Sequence, residues 1–113
     1  MASYAVGILR DVKMGPPIAE YLARIDATLA PHDGHFLVHG GAPTMLEGSS
    51  PGTLIVIEFP DRARAEAWYT SPAYRDILPL RTENSTGIVF LIDGVDRDHR
   101  ATDVLTPSPA RRS

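Results

Sequence analysis

Four side chains stand out, by type and setting, for chemistry that could move a proton or hold an anion. Glu47 sits in a Gly-, Ser- and Pro-rich stretch and is followed by Gly48. A carboxylate on a loop at the end of a sheet is a common way to present a reactive group. His39 precedes Gly40-Gly41, and histidine is the residue type most used to carry protons in catalysis. Arg81 follows Leu80 at the end of a short helical run and can grip a carboxylate bidentately or cap helix carbonyls. Glu58 is the only charge in Thr53–Phe59, on the face shared by Leu54 and Val56. A carboxylate in such surroundings is either a tuned acid or base, or half of an ion pair with Arg10 or Arg81.

Around these lie aromatics, Tyr21 on the first helix and Trp68, Tyr69 and Tyr74 near the second. At helical spacing such rings usually build core, and tyrosine hydroxyls can still point into a cleft. Ser71 reads better as a helix cap before Pro72 than as a nucleophile. His35 and His39 share a strand face four residues apart, at roughly 13 Å, too far for one metal ion. No metal site and no cofactor is expected. His39-Gly40-Gly41 also looks like a lipase oxyanion loop, but the Gly-x-Ser-x-Gly elbow that accompanies it is absent.

The elements that must position these groups follow from pattern. Tyr4–Arg10 is an apolar run and a first strand. Pro17 opens a helix in which Ile18, Leu22, Ile25 and Leu29 form an apolar stripe, ended by Pro31-His32-Asp33-Gly34. His35–His39 and Thr53–Phe59 are the second and third strands. Asp61 caps a helix over Arg62–Thr70, with Ala63, Ala67 and Trp68 as core candidates. Ser71-Pro72 starts another, with Tyr74, Ile77, Leu78 and Arg81 on one side, and Ile88–Ile92 is the last strand. The order β-α-β-β-α-β, with right-handed crossovers, is an α+β ferredoxin-like fold with a four-stranded antiparallel sheet.

Two helical layers cover one face of such a sheet, and the other face should then alternate polar with apolar. Here both faces are apolar: Val6 and Ile8 oppose Ala5, Gly7 and Leu9, and Leu54 and Val56 oppose Ile55, Ile57 and Phe59. The second face therefore calls for a cover, either a partner or the chain's own tail, which has few apolar residues to offer. About six aliphatic side chains per subunit buried there would be worth on the order of 10 kcal/mol before association costs.

Three strings carry a family resemblance: Leu46-Glu47-Gly48, Val56-Ile57-Glu58-Phe59-Pro60 and Ala67-Trp68-Tyr69-Thr70-Ser71-Pro72-Ala73-Tyr74. From Tyr4 to Val95 the chain resembles the DUF1330 family of the dimeric α/β-barrel superfamily. The resemblance implies two sheets packed face to face in a homodimer. It carries over onto Glu47, Trp68, Tyr74 and Arg81, while His39 departs from the arginine that relatives tend to have there. Superfamily relatives include monooxygenases, cyclases, isomerases and decarboxylases, often without metals. The leading expectation is cofactor-independent acid–base chemistry on a small carbonyl or acidic metabolite. Glu47 and His39 would be the catalytic residues, and Arg81, Trp68, Tyr69, Tyr74, Tyr21 and Glu58 would contact substrate. A non-enzymatic ligand-binding dimer is the rival, and a haem-handling barrel with His39 as axial ligand a third reading.

Composition bounds the remainder. The chain has 113 residues, 43% hydrophobic and 22% charged, with net charge −3 and no cysteine. That is one domain burying about two thirds of its unfolded surface. Residues 1–95 are expected to form the domain and 96–113 a flexible tail. Nothing in the charge suits nucleic acid or an anionic membrane surface. Disulfides and thiolate chemistry are excluded. No apolar run approaches the ~20 residues that span a bilayer, and Met1-Ala2-Ser3 shows no leader pattern, which makes cytoplasm the expectation.

Overall fold

A computed structural model describes residues 1–105. The strands are β1 Ser3–Arg10, β2 His35–His39, β3 Thr53–Phe59 and β4 Thr86–Asp93, and the helices α1 Pro16–Leu29, α2 Arg62–Thr70 and α3 Pro72–Thr82. The sheet is antiparallel in the order β2-β3-β1-β4, the ferredoxin-like arrangement. The expected tail begins after this fold. Its described part carries a short 3-10 turn, Ala101–Leu105, with Val104 and Leu105 exposed, and the rest of that expectation lies outside the described residues.

The punctuation residues act as their chemistry predicts. Pro16 and Pro17 occupy the first turn of α1, where a missing N–H costs nothing. The Asp61 carboxylate accepts from Arg64 N at 2.8 Å and caps α2. Ser71 closes α2 and opens α3: its Oγ donates to Trp68 O at 2.7 Å and accepts from Tyr74 N at 3.3 Å. Ser71 is thus occupied as a cap. After α1 the chain must pass close under Phe59. A Cβ at Gly34 would meet the Phe59 ring at 2.7 Å, so only glycine fits there.

The core lies between the sheet and the helices, with Ile25, Leu29, Ile57, Phe59, Trp68, Tyr74 and Ile77 buried. On α2 the buried positions are Ala65 and Trp68, while Ala63 and Ala67, expected in the core, are exposed. The Asp61 cap sets the phase of the helix, and the stripe continues at Trp68 by an i, i+3 step from Ala65. Trp68 packs at a tilt against Tyr74 with ring centroids 4.2 Å apart, and its Nε1 donates to Thr28 Oγ1 at 3.0 Å, fixing α2 and α3 against α1.

The other face of the sheet is uncovered in the single chain. Tyr4, Val6, Ile8, Val38, Leu54, Val56 and Glu58 lie on it together with Ile88, Phe90 and Ile92. Ile88, Phe90 and Ile92 are 59%, 40% and 51% exposed.

Candidate functional site

The site begins with a row of small residues. Along β1 the positions facing the helices are Ser3, Ala5, Gly7 and Leu9, so three of the four leave space. Gly7 pairs with Ile55 on one side and Val89 on the other, and Ile55 pairs with His39. His39, Ile55, Gly7 and Val89 thus cross all four strands in one row, with the smallest residue near its middle. That row floors a cavity of about 240 Å³ under α1, walled by Ile18, Tyr21, Leu22 and Ile25 and closed by Trp68, Tyr74 and Arg81.

The register of β2 decides which histidine reaches this floor. A bulge between Phe36 and Val38 puts Phe36 opposite Ile57 and His39 opposite Ile55, both on the helix side. Strict alternation would have placed His39 on the same face as His35. The bulge separates them: His35 pairs with Glu58 on the open face, and His39 stacks on Phe36 with centroids 4.4 Å apart. The expectation that the two histidines share a face is therefore wrong, because an extra residue resets the two-residue period. Positive φ at Gly40 and Gly41, 77° and 92°, then turns the chain away from the sheet directly after His39.

The polar end of the cavity is Tyr21, Tyr74 and Arg81. The two hydroxyls are hydrogen-bonded at 2.7 Å, and their rings meet edge to face. Arg81, only 9% exposed, interacts with both hydroxyls. Among the described residues it forms no ion pair with any carboxylate. Burial pushes the Tyr21 hydroxyl pKa well up, Tyr74 pushes the same way, and Arg81 opposes them. Burial works against the charge of Arg81, but the two tyrosine oxygens outweigh it and leave its pKa above the ordinary value. The Arg81 carbonyl, near the end of α3, accepts from Ser85 Oγ at 2.7 Å and Asn84 N at 3.1 Å.

Of the residues singled out in the sequence, the cavity brings together Arg81, Tyr74, Tyr21, Trp68 and His39. Three stand apart. Glu47 is exposed on the loop between β2 and β3, followed by Gly48 at φ 73°, and does not line the cavity. Tyr69 packs against Trp68 and Tyr74, with the Arg75 guanidinium 5.6 Å from its ring centroid. Glu58 is half-buried on the open face. Its expected ion pairs do not form: Arg10 Nε donates instead to Pro51 O at 2.8 Å, and Arg81 lies on the far side of the sheet. Sequence reading missed Ala5 and Gly7, whose small size on every second position of β1 is the signal for a cavity there. Among the described residues no group of three or more His, Asp or Glu is placed to hold a metal, and no helix is long and apolar enough to cross a membrane. At about 240 Å³ this cavity falls below the ~300–1,000 Å³ that accommodates drug-sized ligands.

Comparison with known proteins agrees with this architecture. The family model described as "Domain of unknown function (DUF1330)" matches residues 2–95. No curated protein gives a significant match. A protein of unknown function from Rhodopseudomonas palustris superposes with a TM-score of 0.63 at 16% identity, over 84% of this chain and 83% of that one. A dimeric ferredoxin-like protein of unknown function from Jannaschia sp. CCS1 gives 0.56 at 14%, over 80% and 98%. SnoaB, a cofactor-independent oxygenase from Streptomyces nogalater, studied as its N63A mutant, gives 0.55 at 13%, over 88% and 98%. At such identities the likeness establishes the ferredoxin-like fold.

Proposed function

The chain belongs to the DUF1330 family, and we propose that it works as a homodimer whose helix-side cavity performs cofactor-independent acid–base chemistry on a small carbonyl or acidic metabolite. The observation that carries this reading is Arg81, a buried guanidinium at a cavity wall with no carboxylate partner among the described residues. A buried charge held only by neutral hydroxyls lacks a countercharge, and an anionic ligand would supply one. The reaction class is proton transfer next to a carbonyl. His39 would take the proton from carbon and return it at the same or a neighbouring atom. The Tyr21, Tyr74 and Arg81 donors would hold the oxygen as negative charge develops on it. Glu47 has no part in this scheme, since it lies off the cavity.

The homodimer rests on the uncovered aliphatic face and on the dimeric relative of like fold. A non-enzymatic ligand-binding dimer is the second reading. It is favoured by the mostly apolar walls and by His39 being, among the described residues, the one imidazole or carboxylate side chain at the cavity.

The test is hydrogen–deuterium exchange of phenylpyruvate, followed by NMR in D₂O. Exchange at the carbon beside the ketone should be faster with the protein than without it, and His39→Gln should abolish the gain. Binding without accelerated exchange would give the lead to the binding module.

A further inference from the structure

Counting protons against acceptors at the polar end of the cavity narrows the ligand class. Two hydroxyls and one guanidinium bring two O–H and five N–H donors. One O–H is used between Tyr21 and Tyr74. The tyrosine oxygens can take guanidinium protons, but among the described residues no carboxylate pairs with Arg81, and no other acceptor is recorded for the remaining hydroxyl proton. No fully buried side-chain nitrogen or oxygen lacks a partner in the described structure. A nitrogen of Arg81 that the tyrosines leave free is therefore not sealed in protein, and Arg81 lines the cavity. The trio is a surplus of donors around one positive charge.

We propose that the cavity takes a small monocarboxylate with an apolar body, its carboxylate seated on Arg81, Tyr74 and Tyr21 and its body lying over Gly7 and Ala5 under α1. This deepens, and rests on, the reading of the cavity as a ligand site. A carboxylate supplies four lone-pair directions to a forked cation and a hydroxyl, and charge-assisted bonds of this kind are the strong ones. A neutral amide would set its own N–H₂ group against donors. An ammonium would place a second cation beside Arg81. A phosphate dianion would meet one permanent cation, Arg81, against a largely apolar wall that includes Ile18, Leu22, Ile25, Ile55 and Ile57. Tyr21, its pKa raised by burial, stays a hydroxyl and hence a donor near neutral pH. The modest cavity limits the body to a ring or a short branched chain.

Four probes test the proposal by NMR titration of the full chain: three that share a benzyl body, phenylacetate, phenylacetamide and benzylamine, and inorganic phosphate as the bare dianion. Phenylacetate should shift the methyl resonances of Ile18, Ile25 and Ile55 and bind at least about tenfold tighter than phenylacetamide, the span of one charge-assisted hydrogen bond. Tyr21→Phe should narrow that preference several-fold, and Arg81→Lys should keep part of it. Arg81→Met should erase it. Should Arg81→Met fail to fold, the Tyr21→Phe and Arg81→Lys titrations decide alone. If phenylacetamide moves the same resonances with an affinity within threefold of phenylacetate, or phosphate binds tighter, the carboxylate inference falls while the cavity stands as a ligand site. If no probe moves any lining resonance, both readings fall together.

Discussion

The two faces of the sheet are built from the same strands and almost the same alphabet, yet they differ in the one respect that decides their use. Toward the helices β1 places Ser3, Ala5 and Gly7, which leave volume behind, and α1 and α3 supply a polar cluster at its end. Toward the open side β1 places Tyr4, Val6 and Ile8, and β4 adds Ile88, Phe90 and Ile92, which leave none. One face is hollow with polar anchors, and the other is full, with Glu58 at its margin opposite His35. Apolar content alone would call both faces core. Side-chain size separates a surface made to be covered by protein from one made to admit a small molecule.

The largest effect expected from breaking this contrast comes from the full face. Val56→Asp sets a carboxylate among Val6, Val38 and Phe90, where it would have no partner in a face-to-face dimer. Light scattering should show a dimer for the wild type at micromolar concentration and a monomer or unfolded chain for the variant. A variant that remains dimeric, or a monomeric wild type, would mean the open face is not the interface.

A second change sharpens the contrast by making the hollow face resemble the full one. At Gly7 an added Cβ meets only ordinary contacts, 3.7 Å from Val89 and 3.8 Å from Ile55, and the backbone there asks for no left-handed φ. Gly7→Val should therefore fold, with a melting temperature equal to or above the wild type, while its methyl groups occupy the cavity. Phenylacetate affinity should drop by an order of magnitude or more. Unchanged affinity would place the ligand elsewhere.

A third, smaller effect concerns pH. Tyr21 has its pKa raised by burial above the unfolded value of 10.0, so the folded chain favours the protonated hydroxyl. The stability from this group is complete below about pH 10 and is lost as pH rises beyond it. Tyr21→Phe should cost about 1 kcal/mol near neutral pH, the usual net worth of one hydrogen bond, and should flatten the alkaline decline. Denaturant titrations at neutral pH and above pH 10, with tyrosinate absorbance followed in parallel, check both parts. An alkaline decline as steep in the variant as in the wild type would assign it to another group.

Much of the fold was legible because its signals are local. Pro16-Pro17, Asp61 and Ser71-Pro72 each act on the turn in which they stand, and every one opens its helix as its chemistry requires. The open face was legible because period-2 alternation holds unbroken along β1, β3 and β4. What sequence could not give was long-range. The face of His39 depends on a bulge that only pairing with β3 defines. The joining of Tyr21 to Tyr74 and Arg81 depends on the packing of α1 on α3, a contact across more than fifty residues. The missing ion pairs of Glu58 show the reverse error. Its side of the sheet was right, but Arg10 had a nearer acceptor in Pro51, and Arg81 belonged to the other side.

The smallest expected effect is the most informative about that boundary. Glu47 attracted notice as a carboxylate before a left-handed glycine, and Gly48 does take that conformation. The turn needs the glycine, however, and asks nothing of the glutamate beyond solubility, since Glu47 points from an exposed loop and lines no part of the cavity. Glu47→Gln removes the charge and keeps the shape. Exchange of phenylpyruvate and affinity for phenylacetate should stay within about twofold of wild type, and stability within the ~0.5 kcal/mol typical of a surface change. His39→Gln, measured beside it, should lose the exchange and retain the binding. If Glu47→Gln instead costs the roughly 10²–10⁴ expected of a general acid or base, the proton carrier is the loop carboxylate. The hollow face would then be only the binding half of a site completed from the β2–β3 loop.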